Sequence, residues 1–110
     1  MAGVDRKSFD QPDEVFELKH GRMDVVRIGD QEVWRSVYSP GWSWDEDFEP
    51  YAEGATSCPM THREYVQAGR IRYVMDDGTE TVGSAGDYLY IRPGHRAWVV
   101  GDEECVLIDW

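Results

Sequence analysis

The chain has 110 residues, one domain's length, and carries 22 acidic against 11 basic residues for a net charge of -11. Such a surface repels phosphate backbones and anionic bilayers, so neither nucleic acid nor a membrane surface is an expected partner. No run approaches the roughly 20 apolar residues of a membrane span.

Residues 1–7 lack the apolar segment of a secretory signal. The two cysteines, Cys58 and Cys105, make no disulfide framework, so the expectation is a cytoplasmic chain with both thiols reduced. Five Trp and six Tyr favour β-structure or an aromatic-lined cavity.

In chain order, residues 10–17 follow the Gln11-Pro12 break and fit either one helical turn or a strand through Val15 and Leu18. Lys19-His20-Gly21 reads as a solvated turn. Segments 23–28 and 32–38 read as strands parted by Gly29-Asp30. In Pro40-Gly41-Trp42-Ser43-Trp44 two indoles share a face, where they fill the core, wall an apolar pocket or stack on a planar ligand. Residues 45–57, acid-rich with Pro50 and Gly54, form the long irregular stretch: a lid, a binding loop or a mobile segment. Beyond it, strands are expected at 70–75, 79–82, 88–91, 96–100 and 105–110, separated by Gly-Asp, Asp-Gly and Pro-Gly steps whose glycines accept positive φ. Turn signals recurring roughly every 8–12 residues are the spacing of an all-β sandwich or barrel.

Alternation decides which side chains share a cavity. If residues 56–64 are extended, Thr56, Cys58, Met60, His62 and Glu64 point one way, gathering a thiol, an imidazole and a carboxylate. Pro59 is the residue that could break that parity. Tyr88, Tyr90 and Arg92 oppose Leu89 and Ile91, and Arg92 could hold a carboxylate ligand at a barrel mouth or make a surface salt bridge. His95 caps its turn, bonds the 45–57 loop or, beside Arg96, hooks an anionic substrate. Cys105 reads as inert core. There is no Gly-rich phosphate loop, Cys-x-x-Cys pair or Gly-x-Ser-x-Gly elbow to support nucleotide, redox or serine-hydrolase chemistry.

Gly86, Pro93 and Gly94, followed by His95-Arg96-Ala97-Trp98, and Tyr65-Val66 preceding Gly69, together give a pattern that resembles the cupin superfamily from about Val25 to Trp110. Counting back from Gly69, His62 falls where that family has a glutamate, Cys58 on its second histidine and Thr56 on its first, while Ala97 replaces the last histidine. The resemblance implies an all-β double-stranded β-helix, a jelly-roll barrel over residues 21–110, with 1–20 as an N-terminal arm or edge strand, and a homodimer.

It further implies a small-molecule site, with a divalent metal (zinc, iron or manganese) held by Cys58 and His62 and a third ligand from Glu64 or His95. The function to expect is a lyase, isomerase or cyclase acting on a planar or aromatic substrate. His62 and Glu64 would do acid–base work, and Trp42, Trp44, Met60, Tyr90, Arg92 and His95 would bind substrate. The alternative is a non-catalytic ligand-binding or sensory cupin that has lost its metal.

Overall fold

Among the described residues, 3–110 of a computed structural model, nine antiparallel strands form two sheets. Met1 and Ala2, the start of the expected N-terminal arm, lie outside the described residues. The strands are β1 Glu14–Leu18, β2 Gly21–Ile28, β3 Gln31–Tyr38, β4 His62–Ala68, β5 Arg70–Met75, β6 Glu80–Ser84, β7 Tyr88–Ile91, β8 His95–Val99 and β9 Cys105–Asp109. The larger sheet runs β1-β2-β3-β9-β4-β7 and the smaller β6-β5-β8. All pairings are antiparallel, and the chain crosses between sheets as a jelly-roll barrel does.

Residues 10–17, open between helix and strand in the sequence, become β1, which pairs with β2 along the edge of the larger sheet. The 45–57 stretch is less irregular than expected. Its start is a short helix, α1 Trp44–Asp47, followed by a 3₁₀ turn at Glu49–Tyr51. The Ser43 side chain caps α1 by accepting from the Glu46 amide, and three acidic residues fill the first turn, where a helix favours negative charge.

Inward faces meet between the sheets. Tyr38, Trp42, Val66, Ile71, Tyr73, Ile91, Ala97, Cys105 and Leu107 make one buried cluster. Its centre is apolar, as burial of these side chains requires. Tyr38 and Trp42 stack with ring centroids 3.9 Å apart, joining β3 to the segment that leads into α1.

Gly69 makes the tight β4–β5 step possible. Its φ is +75°, and a Cβ there would stand 2.4 Å from the Glu104 carbonyl oxygen. A register shift between Val66 and Ala68 bends β4 just before this step.

His20 is no solvated turn residue. Its backbone amide donates to Asp47 Oδ1 at 2.7 Å and its Nδ1 lies 3.1 Å from Asp47 Oδ2, tying the β1–β2 turn to a fully buried carboxylate of α1. Arg96 on β8 reaches Asp45 at 3.1 Å from the other side. The α1 segment is thus pinned at two points against one end of the barrel. No helix is long and apolar enough to cross a membrane among the described residues.

Candidate functional site

That end of the barrel opens into a cavity of about 830 Å³. One wall is aromatic, made of Tyr38, Trp42 and Trp44, and the floor carries Cys58, His62, Glu64, His95 and Asp109. Each floor residue is delivered by a strand register. His62 and Glu64 are inward positions of β4, and Glu64 faces Asp109 of β9 directly across the ladder. His95 begins β8, two residues before the inward-facing Ala97. Cys58 lies on no strand. Backbone bonds from its amide to the His95 carbonyl and from Gly94 to its own carbonyl, both 2.8 Å, set it beside β8.

Parity along 56–64 therefore did not place Cys58; an isolated bridge did, with the strand starting only at His62. The thiol, imidazole and carboxylate nevertheless meet. Cys58 Sγ lies 3.7 Å from His62 Nε2, and His62 Nδ1 lies 3.0 Å from Asp109 Oδ2. His95 is buried, its ring 5.2 Å from that of His62, and its Nδ1 donates to the Arg92 carbonyl at 2.7 Å. Tyr73 donates its hydroxyl to buried Glu64.

These contacts set the charge states. Burial opposes charge on His62, but the Asp109 hydrogen bond and the Cys58 sulfur outweigh it and raise the imidazole to about 10. Burial also works against a Cys58 thiolate, yet the bonds from His62, His95 and the Met60 amide bring it down to about 6. Both shifts favour the imidazolium–thiolate form of the pair. For Glu64, burial dominates: it lifts the carboxyl to about 7, aided by the Asp109 charge and opposed by the Tyr73 hydroxyl. Cys105, buried in the core, is pushed up to about 12 and is chemically quiet.

Other expected site residues are spread differently. Met60 sits exposed at the cavity mouth. Tyr90 and Arg92, expected at the substrate, stand outside the cavity. Tyr90 pairs with Arg63 on the outward parity of β7 and is half exposed, and the Arg92 guanidinium lies 5.3 Å from the Tyr90 ring centroid. Asp109 and Tyr73 were not singled out from the sequence. Asp109 shares parity with Cys105 and Leu107, and Tyr73 with Ile71, which is the signal that would have found both.

No family model matches the sequence, and no curated protein matches it. Solved structures do. Oxalate decarboxylase of Bacillus subtilis, seen in a variant form, aligns over 92% of this chain and 27% of its own, with TM-score 0.60 and 20% identity. CapF, a capsular polysaccharide assembling protein of Staphylococcus aureus, aligns over 88% of this chain and 29% of its own, with TM-score 0.61 and 17% identity. These and an 11S allergen are cupin-fold proteins. The chain has the cupin fold.

A targeted domain of a protein of unknown function from Vibrio parahaemolyticus matches 86% of this chain and 98% of its own length, with TM-score 0.56 and 14% identity. The chain spans under a third of the oxalate decarboxylase and CapF chains, and at these identities the likeness carries the fold alone.

The fold makes a metal the first group to test against the floor of this cavity. Cys58, His62 and His95 each offer one donor atom, all within 4.8 Å of one another. Asp109 and the Arg92 carbonyl engage Nδ1 of His62 and His95, which leaves Nε2 of both rings as the donors, the outer support usual for metal-bound imidazoles. One thiolate and two imidazoles fit a zinc-class ion, with the cavity side open for a further ligand. His95 supplies the third donor from a position two residues ahead of Ala97, where the cupin signature has its last histidine.

Proposed function

We propose that this cupin is a small-molecule enzyme of the lyase, isomerase or cyclase kind, moving a proton on a planar or aromatic organic substrate. One observation carries the reading: Cys58, His62, Glu64, His95 and Asp109 converge on the floor of a single cavity walled by Tyr38, Trp42 and Trp44. Those reaction types share a proton transfer at or beside carbon, and they need an acid and a base held apart in protonation state.

His62, kept protonated by Asp109, is the acid, and Glu64, poised near neutrality, is the base. Tyr73 fixes the Glu64 carboxylate, and the stacked Tyr38 and Trp42 rings give a flat ligand a face to lie against. Cys58, His62 and His95 would hold a zinc-class metal, which would supply Lewis-acid polarisation of a substrate oxygen. With an ion bound, His62 would serve as a neutral ligand through Nε2, and Glu64 would carry the proton chemistry.

The test has two parts. Protein purified without a metal-affinity column is analysed for metal and then titrated with zinc, alongside Cys58→Ala and His95→Ala. Exchange of the α-protons of a naphthyl ketone is followed by NMR in deuterium oxide, with and without zinc, for wild type, His62→Ala and Glu64→Gln. The expected result is zinc binding that depends on both ligands and exchange that depends on Glu64. Protein that neither binds zinc nor exchanges protons above the buffer rate would overturn the enzyme reading and favour a cupin that only binds its ligand.

A further inference from the structure

Building on that reading of the cavity, we infer its ligand's charge: a planar aromatic bearing an alkylamine, bound as the ammonium cation, rather than a carboxylate. The cavity is lined by carboxylates at every depth. Glu64 and Asp109 stand on the floor, and Asp30, Glu32 and Glu53 stand toward the mouth. Glu32 is already paired with Arg27, but Glu64 is buried and the Asp109 side chain is only 22% exposed, so these charges are not a solvated surface. Among the described residues Arg63 is the only Lys or Arg that lines the cavity, and it is exposed, its guanidinium donating to the Trp110 carbonyl. Arg92, the residue that could have received a carboxylate, is on the outer face over Tyr90.

An anionic ligand would have to shed its water beside Glu64 and Asp109, where the floor's one cation, the His62 imidazolium, is already engaged by Asp109 and the Cys58 sulfur. A protonated amine meets the opposite situation. The carboxylates attract it, low-dielectric walls concentrate their field, and the indole and phenol faces of Trp42, Trp44 and Tyr38 favour a cation lying against them.

A second, independent observation comes from Trp42. It lines the same cavity, is 4% exposed, and its indole N–H has no hydrogen-bond partner. A buried donor left so is stabilised by an acceptor on a ligand, such as a ring heteroatom or a hydroxyl oxygen. The ligand class is therefore an arylalkylamine that also carries an acceptor. A divalent ion on Cys58 thiolate, His62 and His95 adds a single net positive charge, fewer than the carboxylates that remain.

The experiment is isothermal titration of the full chain at about pH 8, where the acids are ionised, with three matched probes: naphthylmethylamine, naphthylmethanol and naphthoate. Each is run on chelator-treated and on zinc-loaded protein. The amine should bind one-to-one and at least about tenfold tighter than naphthoate, with the alcohol between them. Glu64→Gln should narrow that gap, and so should Glu53→Gln at the mouth, a change unlinked to the core. Naphthoate binding equal to or tighter than the amine, in either metal state, overturns the inference. So does an amine isotherm with many sites that vanishes in salt, which is surface binding. If the alcohol binds but the amine gains nothing over it, the charge inference fails and the aromatic cavity stands. If none of the three binds, the small-molecule reading falls with it.

Discussion

Replacing Glu64 by glutamine should make the protein more stable in mild alkali and leave it unchanged in acid. The carboxyl is 5% exposed, and burial raises it from the ordinary 4.5 to about 7. Because the folded value lies above the unfolded one, the fold favours the protonated acid. Stability from this group is complete below about pH 4.5 and declines as pH rises through about 7. Each pH unit of that gap corresponds to about 1.4 kcal/mol, so ionised Glu64 costs the fold about 3 kcal/mol. Glutamine is neutral throughout, keeps an oxygen for the Tyr73 hydroxyl and turns an amide toward the Asp109 charge. In a domain of this length the gain amounts to roughly 10 °C in Tm at about pH 9, falling to nothing near pH 4. Thermal melts of wild type and Glu64→Gln across that range measure it, common titrations cancelling in the difference. A variant that melts lower than wild type by the same amount at every pH would refute the burial argument and Glu64's role as a poised base.

Three more outcomes follow from the same geometry. Iodoacetamide should alkylate Cys58 with a half-maximal rate near pH 6, moving toward the ordinary thiol range in His62→Ala, while Cys105 stays unmodified in peptide mass spectra. Asp109→Asn should weaken zinc roughly 10–100-fold by loosening His62, whereas Cys58→Ala should remove measurable zinc binding; equal affinity in all three proteins would disprove the donor set. His20→Ala should change overall stability by about 1 kcal/mol or less but speed proteolytic cleavage within residues 48–57, since it removes the imidazole bond to Asp47 and leaves only the backbone amide bond of that pin; unchanged cleavage would show that the backbone bond and Arg96–Asp45 suffice.

Much of the barrel was legible in the sequence because its turns announce themselves. Gly29-Asp30, Asp77-Gly78, Gly86-Asp87 and Pro93-Gly94 each mark a strand boundary within a residue or two of the observed one. The 45–57 segment was opaque because α1 is four residues long and is held by its Ser43 cap and by partners distant in sequence, His20 and Arg96. Nothing local encodes such contacts.

The site was half legible for the same reason. Cys58, His62 and Glu64 stand close enough in the chain to suggest a cluster, and the two indoles of Trp42 and Trp44 suggested the wall. Asp109 arrives from the last strand, 47 positions after His62, through the β4–β9 ladder, and only strand order could bring them together. Arg92 misled because its charge suggested a ligand hook, while it stands just past the end of β7, exposed over the outward-facing Tyr90 ring.

The paired backbone bonds between Cys58 and the Gly94–His95 turn bear on the reactive groups as well as on the fold. They are the stitch that fastens the far end of the 45–57 segment to β8. Breaking it would draw the sulfur away from both imidazoles, so the same two bonds that close this edge of the barrel also keep the thiol within reach of the rings.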